Sequence, residues 1–540
     1  MYDGPAAPQT ADAGGDAPAT PLIKPPQPRP AETIRERITA LLRRDFLVGG
    51  ISPTYYISRW VFLRLLGVIH LIAFTSFWWQ LKGLIGSNGI TPAHYFLQLV
   101  SDRAQHMSSP WMRFFQLPTL CWIFDGDWFL HLICAIGTIA AVVLIADVAP
   151  PICLAILYVT YLSLVSVTPD FLGFQWDSLL LETTFLAIFF APMKLLPGIR
   201  REEVHSRVML MLLRWLLFRL MFMSGYVKLG DETWRNLTAL AYHYETQPLP
   251  HFVSWYAHNL PLWIHKLSVA CTLTIELFVP LLFVAPRRIR AVVFIVFVLF
   301  QLSIGATGNY NFFNLLTIAL CLMLLDDRHW QYLAPGNFKE FLARPPLKRL
   351  PFYRKAIMGV MGMYIVLVTG FIMCMMFGFS LPDAAYKMIS YTDSYNIANR
   401  YGLFANMTTV RNEIILEGSD DGETWLAYEF HWKPGALDRR PGWVQPFQPR
   451  LDWQMWFAAL NPSAPAWFKN FAYRLLEGKP EVLALLKTNP FPNAPPKYIR
   501  AKLYQYNFTT QEQYARSGQW WVRQELGEYP RKGAVPTTLR

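Results

Sequence analysis

The sequence predicts an α-helical polytopic membrane bundle of about nine spans, followed by a β-rich C-terminal globular domain with helical insertions. The composition is 53% hydrophobic and only 16% charged, whereas a soluble chain carries about 25% charged residues. Several apolar runs approach the roughly 20 residues that a transmembrane helix needs. After Phe379 these runs give way to segments of alternating polarity, which are typical of strands.

Three regions follow from this pattern. Residues 1–34 are rich in Pro and Ala and predict a disordered tail. Residues 35–380 are expected to form the transmembrane helical domain, and residues 381–540 an extracytoplasmic β-rich domain. Arginines directly before the first span predict that the N-terminus is cytoplasmic; they are Arg35, Arg37, Arg43 and Arg44.

The membrane domain contains nine apolar runs that predict transmembrane helices. If the spans alternate in direction, the basic connections all fall on one side, and the C-terminal domain falls on the other. The link 147–151 is short and has no basic residue, so a re-entrant pair there is an alternative. The predicted spans are 60–80, 128–147, 151–168, 174–193, 207–227, 267–285, 290–306, 311–326 and 355–379.

Two longer segments, 81–127 and 229–266, are predicted to lie outside the bundle. Both are rich in Trp, Tyr and Phe, and these side chains favour the boundary between lipid and water. We therefore expect both segments to lie at the membrane interface on the side of the C-terminal domain.

The C-terminal region begins with a clear hairpin signal. Asp421-Gly422 separates two alternating runs within 412–432, which predicts a two-stranded hairpin. The stretch 497–508 alternates again and predicts a further strand, whereas the Trp-rich and Pro-rich residues from Leu451 onward predict short helices and loops.

The net charge of +12 does not indicate a nucleic-acid partner, because the basic residues lie between apolar runs and not along one soluble face. We expect a lipid bilayer around the chain and no nucleic acid. The six cysteines show no regular spacing, so the sequence predicts neither a disulfide framework nor a zinc site. No metal or cofactor is expected.

Asp177 and Glu182 are candidate functional residues because carboxylates inside a span are costly and usually have a partner or a role. They are about 140° apart around a helix and cannot act side by side. We favour a structural role in which they pair with Arg214 or Arg219 of the next span. A direct role in chemistry or transport is one alternative, and an interfacial position with no special role is another.

Lys228 ends the span that carries these arginines. A lysine partly removed from water loses its proton more easily and can act as a base. The commoner outcome is that its ammonium reaches the interface beside Asp231 and Glu232, and we favour that structural interpretation.

Four histidines recur every seven or eight residues in the outer segment 229–266: His243, His251, His258 and His265. Seven residues of helix span about 10 Å, which is too far for neighbours to share one metal ion. We expect interface or substrate contacts from them. Asn309, Asn311 and Asn314, with Gln301, are expected to be polar links between spans or the lining of a cavity.

Six long motifs follow one another along the chain: Gln175–Glu182, Leu237–Pro250, Trp255–Pro261, Gly308–Leu316, Arg400–Thr408 and the Trp-rich Leu451–Leu460. These motifs resemble the lipase maturation factor family, in order along about residues 50–530. Site residues that the resemblance assigns to client binding or to structure are Gln175, Trp176, His243, Tyr244, Glu245, Trp255, His258, Asn309, Asn311 and Arg400.

This resemblance implies a multi-pass membrane protein whose C-terminal domain faces the lumen of the endoplasmic reticulum in animals. There it assists the folding and assembly of secreted lipases, so the expected partner is a secreted client protein of that class. The Ala/Pro tail, the few cysteines and the basic loops suit a bacterial member in the inner membrane, where the fold carries over but the client differs.

A shorter likeness keeps an enzymatic alternative open. Gly225–Trp234 is similar to the segment around the active-site lysine of vitamin K-dependent gamma-carboxylase. In that alternative Lys228 is the base, with Asp177, Glu182 or His243 in support. A transporter is a third alternative, although the sequence shows no internal repeat. The absence of a compact catalytic motif favours a non-enzymatic maturation factor.

Overall fold

The computed structural model describes residue 4 and residues 54–105, 111–198, 204–330 and 350–530. Two compact units, Met1–Ile51 and Ser52–Arg540, divide the chain, and the elements below belong to the second. Some predictions concern residues outside the described ones: nearly all of the predicted tail 1–34, and Arg35, Arg37, Arg43 and Arg44.

The α-helices and strands of the described residues are numbered here in chain order, beginning with α1. The first eight helices are α1 (Tyr56–Ile85), α2 (Ala93–Gln105), α3 (Met112–Gln116), α4 (Asp127–Ile145), α5 (Pro150–Val167), α6 (Pro169–Leu172), α7 (Gln175–Phe190) and α8 (Arg207–Lys228). The next are α9 (Glu232–Arg235), α10 (Ala239–Thr246), α11 (Phe252–His258), α12 (Leu262–Leu277), α13 (Arg287–Thr307), α14 (Phe313–Cys321), α15 (Asp327–Trp330), α16 (Phe352–Met376) and α17 (Asp383–Asp393), followed by the strands β1 (Arg411–Ser419) and β2 (Leu426–Ala427).

Seven helices among the described residues are long and apolar enough to cross a membrane: α1, α4, α5, α8, α12 with its 3₁₀ extension to Val284, α13 and α16. The polytopic helical bundle is thus confirmed. The other two predicted spans are also helical but shorter, since α7 has 16 residues and the apolar helix that begins with α14 is Phe313–Leu324.

Both short helices nevertheless connect the same two faces of the bundle. α1 starts where Tyr56 N–H donates to Asp327 Oδ2 at 3.1 Å. It ends where Gly83 abuts the C-terminal region at Glu481, about 45 Å away for a helix of this length. The chain before α14 contacts the C-terminal region, and the chain after it reaches Asp327. The chain segments that contain these two helices therefore reach both faces, although the helices themselves are shorter than α1.

The described basic connections lie on the face away from the C-terminal region. Ala149 N–H donates to the carbonyl of Leu195 at 2.6 Å, which joins the α4–α5 turn to the chain after α7. Arg287 Nε donates to Asp326 at 2.5 Å, next to the start of α1. Lys194 belongs to such a connection, Arg328 lies in the short α15, and Arg207, Arg287 and Arg290 lie in the first turns of α8 and α13. This separation is the geometry that alternating spans require.

The link 147–151 forms a tight turn between two separate long helices, not a re-entrant pair. Asp147 and Ala149 have positive φ values of 63° and 44°, and prolines occupy the first positions of α5, where a missing N–H costs nothing. Trp60 Nε1 donates to Asp147 Oδ2 at 2.9 Å, which anchors the turn to α1.

The C-terminal region is β-rich with inserted helices, as predicted. β1 and β2 form the hairpin around Asp421-Gly422. β1 also pairs antiparallel with β5 (Tyr498–Phe508), which in turn pairs with β6 (Trp521–Glu528), so the strand order is β2-β1-β5-β6. A second sheet pairs β3 with β4. The remaining elements are β3 (Glu429–Phe430), α18 (Arg450–Leu460), α19 (Ala466–Leu476), α20 (Pro480–Leu483), β4 (Leu486–Thr488), β5 (Tyr498–Phe508), α21 (Gln511–Ser517) and β6 (Trp521–Glu528).

The two faces of the four-stranded sheet pack against different partners. Ile414, opposite Leu503 in the register, belongs to the large core that continues into the bundle. Ile415 and Tyr506 point to the other face and pack with Trp255 of the outer segment. Since alternate residues of a strand face opposite sides, one sheet joins the bundle core to the outer segment.

Candidate functional site

Asp177 lies in the first turn of α7 and forms a buried ion pair with the C-terminal region. Arg450, the first residue of α18, donates to its two carboxylate oxygens at 2.7 and 2.9 Å, and both side chains are fully buried. Tyr161 Oη donates to Oδ1 at 2.5 Å. The expected pairing of Asp177 with Arg214 or Arg219 is wrong. That prediction considered only the neighbouring span, whereas Arg450 lies in the C-terminal region, 273 positions along the chain.

Glu182, one and a half turns further along α7, holds the chain that follows α17. It forms the predicted ion pair with Arg219, which confirms that interhelical contact. Its Oε2 also accepts from Tyr401 Oη at 2.7 Å and from the backbone N–H of Asn399 at 3.0 Å. Arg400 lies between these two anchored residues with an exposed side chain. Glu182 therefore fixes the entry to the C-terminal region.

Asp177, Glu182 and Arg450 lie in the contact surface between the bundle and the C-terminal region, which we call the seam. Gln175 and Trp176 also contribute to this seam. Gln175 Oε1 accepts from the backbone N–H of Gly402 at 3.0 Å. Trp176 stacks on Phe174 with ring centroids 4.6 Å apart and meets Trp453 of α18 edge-on at 4.8 Å. The first turn of α7 therefore binds the C-terminal region through both polar and aromatic side chains.

Asn309 links three segments on the same face. Its Nδ2 donates to the carbonyls of Leu249 and Gly442 at 3.1 and 2.9 Å, and its Oδ1 accepts from Val444 N–H at 2.9 Å. Asn311, with φ of 48°, acts locally and accepts from the N–H two residues on at 2.9 Å. The expected polar link is present, but it joins the bundle to the C-terminal region and not only two spans.

The outer segment is bound to the sheet by Arg411 of β1. Its guanidinium donates to the carbonyls of Glu245 and Gln247 at 2.8 and 2.5 Å. The Glu245 carboxylate in turn accepts from Phe508 N–H at 2.7 Å and lies 3.5 Å from His258 Nε2. Burial lowers the pKa of His258, although the Glu245 charge opposes this.

Trp255 completes this attachment. Its Nε1 donates to Thr509 Oγ1 at 3.2 Å, and its ring meets Trp520 edge-on at 5.4 Å. The motif residues Glu245, Trp255 and His258 therefore hold the outer segment on the C-terminal sheet, and their side chains face parts of this chain.

Lys228 does not extend to the interface, so the structural interpretation favoured for it is wrong. Its Nζ is 2.7 and 2.6 Å from the two carboxylate oxygens of Glu276 on α12, and both side chains are buried. Asp231 instead accepts from Thr233 N–H at 2.9 Å. A buried carboxylate offers the ammonium a closer partner than the interface does.

His243 lies in a short hydrogen-bonded chain near this ion pair. Its Nε2 is 2.8 Å from Tyr310 Oη, which donates to Gln247 Oε1 at 2.6 Å. Because the Tyr310 proton is used, His243 Nε2 must be the donor. Burial, and secondly the charge of Lys228, lowers the pKa of His243 to about 4. Tyr244 instead packs against the ring of His265 at 5.7 Å.

Lys228, Glu276 and His243 line a cavity of about 600 Å³ between α8, α10, α12, α13 and α14. Asp177 and Glu182 are not among its described lining residues. Of the three side chains proposed to support a lysine base, only His243 thus shares the cavity with Lys228. The two span carboxylates belong to the seam and are saturated by their partners.

The four recurring histidines do not meet at one point, although His258 and His265 are close enough to interact electrostatically. His251 Nδ1 accepts from Val253 N–H at 3.1 Å and so caps α11, while His243 and His258 have the partners given above. Within the described ranges no group of three His, Cys, Asp or Glu side chains is placed to hold a metal ion.

Four residues that the sequence analysis did not single out are central to this region: Arg450, Arg411, Glu276 and Tyr310. Arg450 directly precedes the Trp-rich motif, and Arg411 opens the predicted hairpin. Because each arginine adjoins a segment that the sequence analysis had identified, both could have been proposed as site residues. Glu276 is a lone carboxylate in an apolar run, and the rule applied to Asp177 would have identified it.

The fold and the seam define a class: a multi-pass membrane protein whose C-terminal β-rich region is locked onto its helical bundle by buried ion pairs. The model of the lipase maturation factor transmembrane domain matches residues 57–332, and that of the lipase maturation factor C-terminal domain matches residues 397–531. The chain belongs to the lipase maturation factor family.

Relatives match along most of the chain. Lipase maturation factor 2 from Gallus gallus is 36% identical, with 87% of this chain and 80% of the relative covered. Lipase maturation factor 2 from Homo sapiens is 35% identical, with 88% and 82% covered. Lipase maturation factor 1 from Homo sapiens is 34% identical, with 88% of each chain covered.

No solved structure matches this chain significantly. The comparisons do not support the carboxylase alternative suggested by the segment around Lys228. These relatives are vertebrate proteins, so they lend no support to the predicted bacterial origin.

Proposed function

We propose that this protein is an integral membrane maturation factor that assists the folding and assembly of secreted lipase-like proteins. Membership of the family over both of its domains supports this, as do relatives named lipase maturation factors at about a third identity or more. The client is a secreted protein, and a lipase is its expected class.

The observation that carries the proposal is the buried seam. Asp177–Arg450 and the contacts of Glu182 bind the C-terminal region to the bundle through polar groups without solvent access. A surface held in one orientation costs less entropy when it binds a partner. The client would therefore meet a platform of fixed geometry next to the membrane.

Candidate client contacts lie on α18. Phe457 and Leu460 are three residues apart and so share one helix face, and they are 37% and 41% exposed. Tyr473 on α19 and Trp443 are also exposed large side chains of this region. Apolar groups exposed on an extramembrane region suit contact with the apolar surface of an incompletely folded client.

The orientation belongs to the proposal as well. Basic connections gather on the face away from the C-terminal region, and this distribution supports a cytoplasmic N-terminus with the C-terminal region outside. The membrane is the endoplasmic reticulum in a eukaryotic cell, or the inner membrane in a bacterium. In either case the C-terminal region lies in the compartment that secreted proteins enter.

Site-specific photocrosslinking tests the proposal. The photoreactive residue p-benzoylphenylalanine replaces Phe457, and in a matched control it replaces Phe352, which is 85% exposed at the far end of α16. We expect a secreted hydrolase among the adducts at 457 and none at 352. Equal protein adducts at both positions, or no secreted protein at 457, would contradict the proposed docking surface.

A further inference from the structure

The cavity beside Lys228 has features that the maturation role does not use. Its volume of about 600 Å³ is that of a site for a small organic ligand. Most of its lining is apolar, with Leu220, Phe300 and Ile304 among the residues. It lies within the helical bundle, below the outer segment.

The cavity opens sideways, toward the lipid. Leu267 on α12 and Leu299 on α13 both line it and are 56% and 61% exposed. Cys271, one turn along α12 from Leu267, is also exposed in the lining. Apolar side chains exposed on transmembrane helices face hydrocarbon, so a ligand would enter from the bilayer.

Two buried hydrogen-bond acceptors in the lining have no partner. The Oε1 atom of Gln301 and the Oδ1 atom of Asn314 accept no hydrogen bond, and the two residues are only 3% and 6% exposed. The amide orientation of Asn314 is set because its Nδ2 donates to the Gln301 carbonyl at 3.2 Å. Unmatched buried acceptors carry a desolvation penalty that a ligand donor would relieve.

The charges of the lining exclude an ionic head group. Lys228 and Glu276 are the charged side chains among the described lining residues, and they neutralise each other at 2.6 and 2.7 Å. Burial, and secondly the charge of Lys228, lowers the pKa of His243 to about 4, so that imidazole is neutral at pH 7. A charged ligand would therefore be buried without a counter-charge.

We propose that this cavity binds a single-chain neutral lipid with two hydroxyl groups, which is the chemistry of a monoacylglycerol. The hydroxyls donate to Gln301 Oε1 and Asn314 Oδ1, and the acyl chain lies along the apolar wall toward Leu267 and Leu299. Two unmatched acceptors call for two donors, and a neutral head group suits the paired charges. The inference is independent of the identity of the protein client.

The test uses the full chain in phosphatidylcholine nanodiscs and a photoactivatable monooleoylglycerol. We expect labelled peptides from α12, α13 and α14. Unlabelled monooleoylglycerol should compete at least tenfold better than its dimethyl ether, which has the same chain but no hydroxyl donor, and better than oleate. Equal competition by the dimethyl ether, or labelling scattered over the bundle, would overturn the proposal.

Paired variants sharpen the result. Gln301→Leu with Asn314→Leu removes both acceptors and should weaken labelling at least tenfold, whereas Ser303→Ala in the same cavity should leave it unchanged. If the double variant does not fold, the single variants Gln301→Leu and Asn314→Leu provide the readout in the same nanodiscs. Each removes one acceptor and should weaken labelling severalfold, and unchanged labelling in both would refute the hydroxyl contacts.

Discussion

Arg450 and Asp177 form the contact on which the attachment of the C-terminal region most depends. Both charges are fully buried, and each is satisfied largely by the other. A buried pair adds little net stability over an apolar pair of the same shape, but removing one partner leaves an uncompensated charge inside the protein. The contact therefore adds little net stability, but it requires the C-terminal region to dock in the one orientation that keeps the two charges paired.

Asp177→Asn should destabilise the protein by about 3–5 kcal/mol, because Arg450 then stays buried without a counter-charge. Thermal unfolding of the solubilised protein, followed by limited proteolysis of the C-terminal region, measures this. Glu512→Gln is the control, since the Glu512–Arg516 pair is exposed at 3.9 Å. Similar unfolding temperatures for both variants would show that the seam does not depend on Asp177.

Variants of Lys228 and Glu276 can distinguish a structural role of Lys228 from a catalytic one. Lys228→Met alone should lower stability by about 3–5 kcal/mol, because the Glu276 carboxylate is left unpaired. The double variant with Glu276→Met should recover folded protein and still mature its client. Protein amount, client binding and client activity are measured together. A folded double variant that binds client but no longer matures it would instead assign chemistry to Lys228.

At the scale of residues, sequence reasoning succeeded where partners are close along the chain. Glu182 and Arg219 lie on consecutive long apolar runs, so their pairing could be anticipated. Asp177 and Arg450 are 273 positions apart, and no periodicity relates them. The partner of Lys228 was missed because nearby acidic residues were assumed to be within reach, although Glu276 offers a buried site.

Among the elements, the outer helix α11 begins with a buried titratable cap, His251. His251 caps α11 through Nδ1, and burial lowers the pKa of His251 from 6.5 to about 4. The neutral ring is therefore the native form. Its contribution to stability is complete above pH 6.5 and is lost as the pH falls from 6.5 toward 4.

We expect acidification from pH 7 to pH 4 to remove about 3 kcal/mol of protection from α11, at 1.36 kcal/mol for each pKa unit. Hydrogen exchange of residues 252–258 measures this locally. His251→Asn keeps a good capping group that does not titrate, so most of the pH dependence at α11 should disappear. An unchanged pH profile in that variant would assign the effect to other histidines.

Whether a segment is a helix or a strand could be predicted from its local sequence pattern. The residues at which each helix ends could be predicted less well. The Asp421-Gly422 hairpin and the strand from Tyr498 to Phe508 appear as expected, because turn chemistry and alternation are local signals. Each predicted span is a helix, but hydropathy alone could not reveal that α7 and α14 are short. α7 ends directly before Ala191-Pro192, where proline does not continue a helix, and α14 passes into the 3₁₀ turn Leu322–Leu324.

For the whole molecule, the described residues between Tyr56 and Glu528 belong to one compact unit, in which the bundle contacts the C-terminal region along the seam. The large core continues from α1 through α7 to β1 and α18, and the outer segment covers the other face of the sheet. Most motif residues shared with the family thus serve this internal attachment. Client contacts are then expected on exposed side chains, such as Phe457 and Leu460 at the end of the Trp-rich motif.

The measurement that tests the central claim most directly is the specific activity of a secreted lipase, per mass of lipase protein, in cells with and without this chain. We expect a severalfold loss when the chain is absent, and restoration by the wild type but not by Phe457→Ser with Leu460→Ser. Unchanged specific activity in cells that lack the chain would contradict a role in lipase maturation.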